Sequence, residues 1–308
     1  MTSFQQIATT CLVAAVVLGS LESAQAASRR FHETASPDGS LVVFVSNVES
    51  RHAKIFVERA DGTGRAQLTD EEYSDTAPAW SPDGKRIAFM SDRNGRWQIF
   101  VMDRDGTHVQ QLSRDDTSNN DGSPHWSPDG KRIAFTSNRS DKWQVYTMHA
   151  DGTRVEELSR DETGAMAPKY APDGRLAYLA ERGTALRAPL YDLVIVEGDK
   201  RSTLCAKSPI KDFAWCHDEL IAYGVGGEIV FHDFTKGTDR TVRLVDIDAR
   251  LDSHAAFEFR WKPRQNVLSC RIRFMGGVQE GAIVYGENQL LTITPTGMAQ
   301  LMDREDDD

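Results

Sequence analysis

The chemistry open to this chain is bounded by where its bases, nucleophiles and metal ligands fall. Eight histidines are scattered through the 308 residues, with no His-Glu-x-x-His or Cys-x-x-Cys spacing to set two ligands on one turn. Zinc chemistry therefore has no support, and no metal site is expected. A Gly-x-Ser-x-Gly elbow, which would hold a nucleophilic serine at a strained turn, does not occur. Nor does a glycine-rich phosphate loop, since Gly224 to Gly227 reads as a turn between two strands, and no cofactor is expected. Asp103-Arg104-Asp105-Gly106 carries part of a calcium-loop pattern but lacks the later ligands and the distal glutamate. Turn chemistry explains it, because Asp bonds its own backbone and Gly accepts a left-handed conformation. These residues predict no catalytic constellation, and the chain reads as a non-enzyme.

The elements that carry these residues recur. Pro78 to Ser113 and Pro124 to Ser159 align without a gap over 36 residues, with 22 identities at an offset of 46. That period is the mark of a repeat architecture whose unit is one small sheet. Within the unit, Pro-Ala-Trp-Ser is a short strand and Asp83-Gly84 a tight turn. Ile87 to Met90 and Ile99 to Met102 are apolar runs bounded by turn signals, which suits strands buried on both faces. Asp105-Gly106 turns the chain again, and Val109 to Leu112 is a fourth, more polar strand for the outer rim. The unit is a four-stranded antiparallel meander.

The residues Trp-Ser-Pro-Asp-Gly-Lys-Arg-Ile-Ala-Phe resemble the WD40-like repeat of the TolB-type β-propeller family. The resemblance implies that each unit is a propeller blade. The aromatic ending each first strand falls at Trp80, Trp126, Tyr170, Trp215 and Trp261, and one step earlier lands on Ala35. The expectation is an all-β, six-bladed β-propeller of four-stranded antiparallel blades over 30–302, closed without exchange of a strand. Blade six carries an insertion, Gly276 to Asn288, read as an extra strand or a lengthened hairpin.

Residues 1–26 read as a signal peptide: Cys11 to Leu18 is a short apolar core, and Ala24-Gln25-Ala26 fits a small-x-small cleavage site. An uncleaved anchor is the alternative. The mature chain is expected to be periplasmic or secreted, to begin at Ala27 and to contain no membrane span. Residues 303–308, five acids and one arginine, read as a disordered acidic tail. A net charge of −10 repels phosphate backbones, so nucleic acid is not an expected partner. Of the cysteines beyond the leader, Cys205 ends an outermost strand and Cys216 follows an innermost one. Three strand spacings of about 4.8 Å place that pair beyond disulfide reach.

Short, repeated turns open on one face of the disc, and longer, varied loops on the other, among them Asp70 to Thr76, Asp115 to Gly122 and Asp92 to Arg96. Binding concentrates in loops that a rigid scaffold frees to vary. The expected partner-binding residues are Asp75, Asp92 and Trp97 in blade two, and Asp121, Asn138 and Trp143 in blade three. His125 lies in the slot filled by Ala79, Lys169, Ala214 and Arg260 in other blades, and reads as a channel-wall residue. In TolB-type proteins the propeller works beside an N-terminal α/β domain, in an assembly with a peptidoglycan-associated lipoprotein. Few residues precede blade one here, so no such domain is expected. The reading is an exported, monomeric, non-catalytic scaffold for a protein partner in the cell envelope. Its alternative is a propeller enzyme or carbohydrate-binding protein that uses the channel mouth, marked by ionisable side chains converging from several blades.

Overall fold

A computed structural model describes residues 30–47, 51–70, 72–114, 119–185, 188–204, 210–225, 227–244, 256–262, 267–279, 282–293 and 299–302. The leader read at 1–26, the tail at 303–308 and Cys205 lie outside them. The fold is an all-β propeller of four-stranded antiparallel blades. The described strands form six such sheets, each of four consecutive strands, so none contains a strand borrowed from the other end of the chain.

Sheet two shows how the sequence makes the unit. Its strands are Asp75–Trp80, Arg86–Ser91, Gln98–Asp103 and Gln110–Gln111. The first turn is closed by its own side chains. Ser81 Oγ donates to Asp83 Oδ1 at 2.6 Å, the Lys85 amide donates to the same oxygen at 3.1 Å, and the Arg86 amide donates to Ser81 Oγ at 2.9 Å. The second turn repeats the device, with Asp105 Oδ1 accepting from the Thr107 amide and hydroxyl at 3.0 and 2.6 Å. The Asp105 carboxylate is thus engaged by its own turn, as the turn reading of this segment requires. Gly106, at φ +86°, faces the preceding sheet so closely that a Cβ would stand 2.6 Å from the Leu68 carbonyl oxygen.

The sheets stack through apolar side chains. Ala88, Ile99 and Val101 of sheet two form one core with Trp126, Ile133, Phe135, Tyr146 and Met148 of sheet three. Ile87, Ala88, Phe89 and Ile99 are wholly buried, because each middle strand is covered on both faces. Among the described residues the buried thiols are Cys216 and Cys270, both free and packed in the core shared by sheets five and six. Burial pushes Cys216 up to about 12 and Cys270 higher still, so neither is a reactive thiolate. The insertion read at 276–288 falls on a lengthened strand pair: Val267–Gln279 and Ala282–Ile293 pair as far as Gln279 and Ala282. No helix among the described residues is long and apolar enough to cross a membrane.

The first strands of successive sheets lie against one another and line the axis. Each carries an irregularity in its pairing with the second strand. In four of them the bulged residue is non-glycine with positive φ: His32, Ala77, Ser123 and Ala167, at 50–53°. Pro78, Pro124 and Pro168 follow three of these residues. Proline lacks the amide a ladder needs, so bulges on an edge strand are where it belongs.

Candidate functional site: the wall of the axial channel

Two slots of the first strand place ionisable side chains at the junctions between sheets. The bulge slot holds His32 in sheet one and Asp212 in sheet five; the slot just before the marker aromatic holds His125, Lys169 and Arg260. Asp212, on strand Ile210–His217, binds both ways along the wall. Its Oδ1 accepts from Lys169 Nζ of sheet four at 2.7 Å, and its Oδ2 accepts from the Phe259 amide of sheet six at 2.8 Å. Lys169 also donates to the Phe213 carbonyl and lies 4.8 Å from that ring's centroid. An ammonium has three N–H groups, so these two bonds leave one for a ligand, on a side chain 27% exposed.

His125 and His32 do the same work with imidazoles. The Tyr170 amide of sheet four donates to His125 Nδ1 at 3.2 Å. The same nitrogen lies 3.1 Å from the Trp126 carbonyl oxygen, so His125 Nδ1 ties its own strand to sheet four. Burial, and secondly the charge of Lys169, hold the His125 imidazole at about 4, so it is uncharged at neutral pH. His32 Nδ1 lies 2.9 Å from Thr76 Oγ1 and accepts from the Ala77 amide at 3.3 Å. Between sheets six and one, Arg260 Nη1 meets Glu33 Oε2 at 3.3 Å. Five first strands thus contribute His32, Glu33, His125, Lys169, Asp212 and Arg260 to one wall. Such a wall can hydrogen-bond carbonyls and pair with carboxylates. Among the described residues no group of three His, Cys, Asp or Glu side chains could hold a metal ion.

The six residues expected to bind a partner each make contacts within the fold. Asp75 and Asp121 are buried, not presented at the channel mouth, because Arg93 and Arg139 reach back from the following loop to pair with them at 3.1 and 3.0 Å. Burial pushes the Asp75 carboxyl up against the pull of Ser91 and Arg93. Asp92 Oδ1 accepts from the Ser74 amide at 2.8 Å, and Asn138 Oδ1 from the Asn120 amide at 2.7 Å, which pins loop to loop. The carbonyls of Trp97 and Trp143 accept from the amides of Asp121 and Ala165 at 2.8 and 2.6 Å, tying each sheet to the next. Both indoles are part-buried. Of the channel-wall set, the sequence singled out only His125. Lys169 and Arg260 were visible as occupants of its slot, whereas nothing marked Asp212, Glu33 or His32.

The family model described as the TolB β-propeller domain matches residues 2–123 and 33–256. This chain belongs to that family. The propeller is also similar to dipeptidyl-peptidase 5 of Porphyromonas gingivalis, 45% identical over 69 residues, which are 21% of this chain and 10% of that protein. Dipeptidyl-peptidase 5 of Porphyromonas endodontalis is 36% identical over 84 residues, 26% of this chain and 12% of the relative. The propeller thus spans about a tenth of the length of these curated relatives. Among solved structures, a puromycin-hydrolysing peptidase of Mycobacterium tuberculosis shares the fold with a TM-score of 0.57 and 20% identity, over 85% of this chain and 45% of that one. These matches overturn the expected non-catalytic scaffold, and with it the reading as a non-enzyme. They favour the alternative, a propeller enzyme. The scaffold reading failed for a physical reason: useful side chains in a propeller come from different blades, so no local spacing announces them.

Proposed function

We propose that this chain is the propeller of a peptide hydrolase, a single domain over 30–302 closed as a six-bladed ring, and that it takes up peptide substrate at the channel wall. The observation that carries the reading is the convergence of ionisable groups from five first strands, with a neutral His125 beside a lysine that keeps one N–H for a ligand. The curated relatives supply the substrate class. Lys169 engages a peptide carbonyl or terminal carboxylate, Asp212 holds the ammonium in place, and His125 sets an uncharged imidazole beside it. The Arg260–Glu33 contact supports closure of the ring, since it joins the last first strand to the first. The leader at 1–26 directs the chain out of the cytoplasm.

The test is to incubate the full chain with a panel of fluorogenic dipeptidyl amides and to measure calorimetric binding of the corresponding free dipeptides. Binding or turnover in the wild type, reduced at least about tenfold in Lys169→Met, is expected; a charge-assisted hydrogen bond of about 1.5–3 kcal/mol is lost. Asp212→Asn should weaken it as well. If no member of the panel is bound or cleaved, or if Lys169→Met behaves as wild type, the assignment is wrong.

A further inference from the structure

On the face opposite the varied loops, a groove of about 590 Å³ runs between sheets two and three, lined by Arg86, Gln110, Lys131, Arg132, His149 and the turn residues around them. Arg86 and Arg132 hold the same place in their repeats, 46 residues apart, yet they end differently. Arg132 donates to Thr147 Oγ1 at 2.8 Å and to Glu156 Oε2 at 2.6 Å. Thr147 and Glu156 face each other across the third and fourth strands of sheet three. In sheet two the residues paired in that way are Val101 and Gln110. A valine offers no acceptor and a glutamine no charge, so Arg86 is left without the internal carboxylate that neutralises its counterpart. Instead its guanidinium lies over the Trp126 ring, 4.7 Å from the centroid. Among the described residues it makes no hydrogen bond or ion pair. Its field reaches Asp83, but that carboxylate is already held by Ser81 and the Lys85 amide.

The acidic residues in the groove are held by their own turns in the same way. Asp129 Oδ1 accepts from Ser127 Oγ at 2.7 Å and from the Lys131 amide at 3.1 Å. Asp151 Oδ1 accepts from the Thr153 amide and hydroxyl at 2.9 and 2.6 Å. Lys131 Nζ stands 3.9 Å from Asp129 and is 81% exposed. A guanidinium stacked on an indole keeps its in-plane N–H fork open, and that fork matches a carboxylate. We propose that this groove binds an acidic peptide segment, with Arg86 taking a side-chain carboxylate in its plane, Lys131 a second one, and the Gln110 amide a backbone group between them. The site is separate from the channel wall and does not depend on the function assigned there.

The probe is a rhodamine-labelled pentapeptide of alternating glutamate and glycine, titrated with the full chain at low ionic strength and followed by anisotropy. Arg86→Gln should weaken binding at least about tenfold. So should Val101→Thr with Gln110→Glu, which rebuilds in sheet two the internal partners of Arg132 and leaves the arginine in place. Both variants are first shown to melt as the wild type does, which separates loss of the site from loss of fold. A glutamine-for-glutamate peptide should not compete. Wild-type affinity in both variants, or equal competition by the glutamine peptide, overturns the proposal. Displacement by inorganic phosphate as effective as by unlabelled acidic peptide overturns the peptide assignment, since the groove would then be a site for small oxyanions.

Discussion

Arg86, Arg132 and Arg175 stand at one place in three successive sheets and meet three different fates. Arg132 binds Glu156, Arg175 binds Asp173 at 2.7 Å while lying over Trp215 and Phe234, and Arg86 has only an indole. A repeat fixes where a side chain stands, and its neighbours in the strand ladder decide what it is free to do. His125 shows the same dependence. Its imidazole is held at about 4 by burial and by Lys169, below the ordinary value of 6.5. When a histidine is depressed in the fold, the unfolded chain takes up the proton first as pH falls. Its contribution to stability is therefore complete above about pH 6.5 and is lost between there and about pH 4. Denaturant titrations should show wild type losing on the order of 1–3 kcal/mol more than His125→Gln across that window. Parallel profiles for the two proteins would show that the fold does not depress His125.

At the level of the element, the tight turns are the most demanding parts of the blade. Gly106 combines a left-handed conformation with a neighbouring carbonyl that would meet a Cβ at 2.6 Å, whereas Gly95, also at positive φ, faces open space. Conformational strain alone costs roughly 1–2 kcal/mol, and overpacking against backbone adds about 1–3 kcal/mol. Gly106→Ala should therefore lower the melting temperature by several degrees more than Gly95→Ala, as read by calorimetry. These turns could be read directly from the sequence, because Asp-Gly pairs and short apolar runs are local signals. Arg86–Ser91 and Gln98–Asp103 agree closely with the runs at Ile87 and Ile99. The candidate site could not be read in the same way. Lys169 and Asp212 are 43 residues apart and meet only because one sheet stacks on the next. Asp75 and Asp121 looked like loop acids, and their burial depends on arginines 18 residues further on folding back over the strand ends.

For the whole molecule, the contact between the sixth and first sheets differs in kind from those between consecutive sheets. Consecutive sheets are joined by a peptide loop and by backbone ties such as the Trp97 carbonyl to the Asp121 amide. Sheets six and one are not consecutive, and the Arg260–Glu33 pair crosses between them with both side chains about 30% exposed, at 27% and 30%. Part-exposed ion pairs contribute about 0.2–1 kcal/mol and are screened by salt. Glu33→Gln should lower the melting temperature at low ionic strength, and the deficit should shrink as sodium chloride is raised to about 1 M, where the Debye length is about 3 Å. A deficit independent of salt would show that Glu33 acts through packing. Among the described residues each sheet holds its own four strands, so parting the sixth sheet from the first breaks no strand ladder, and the junction rests on side chains.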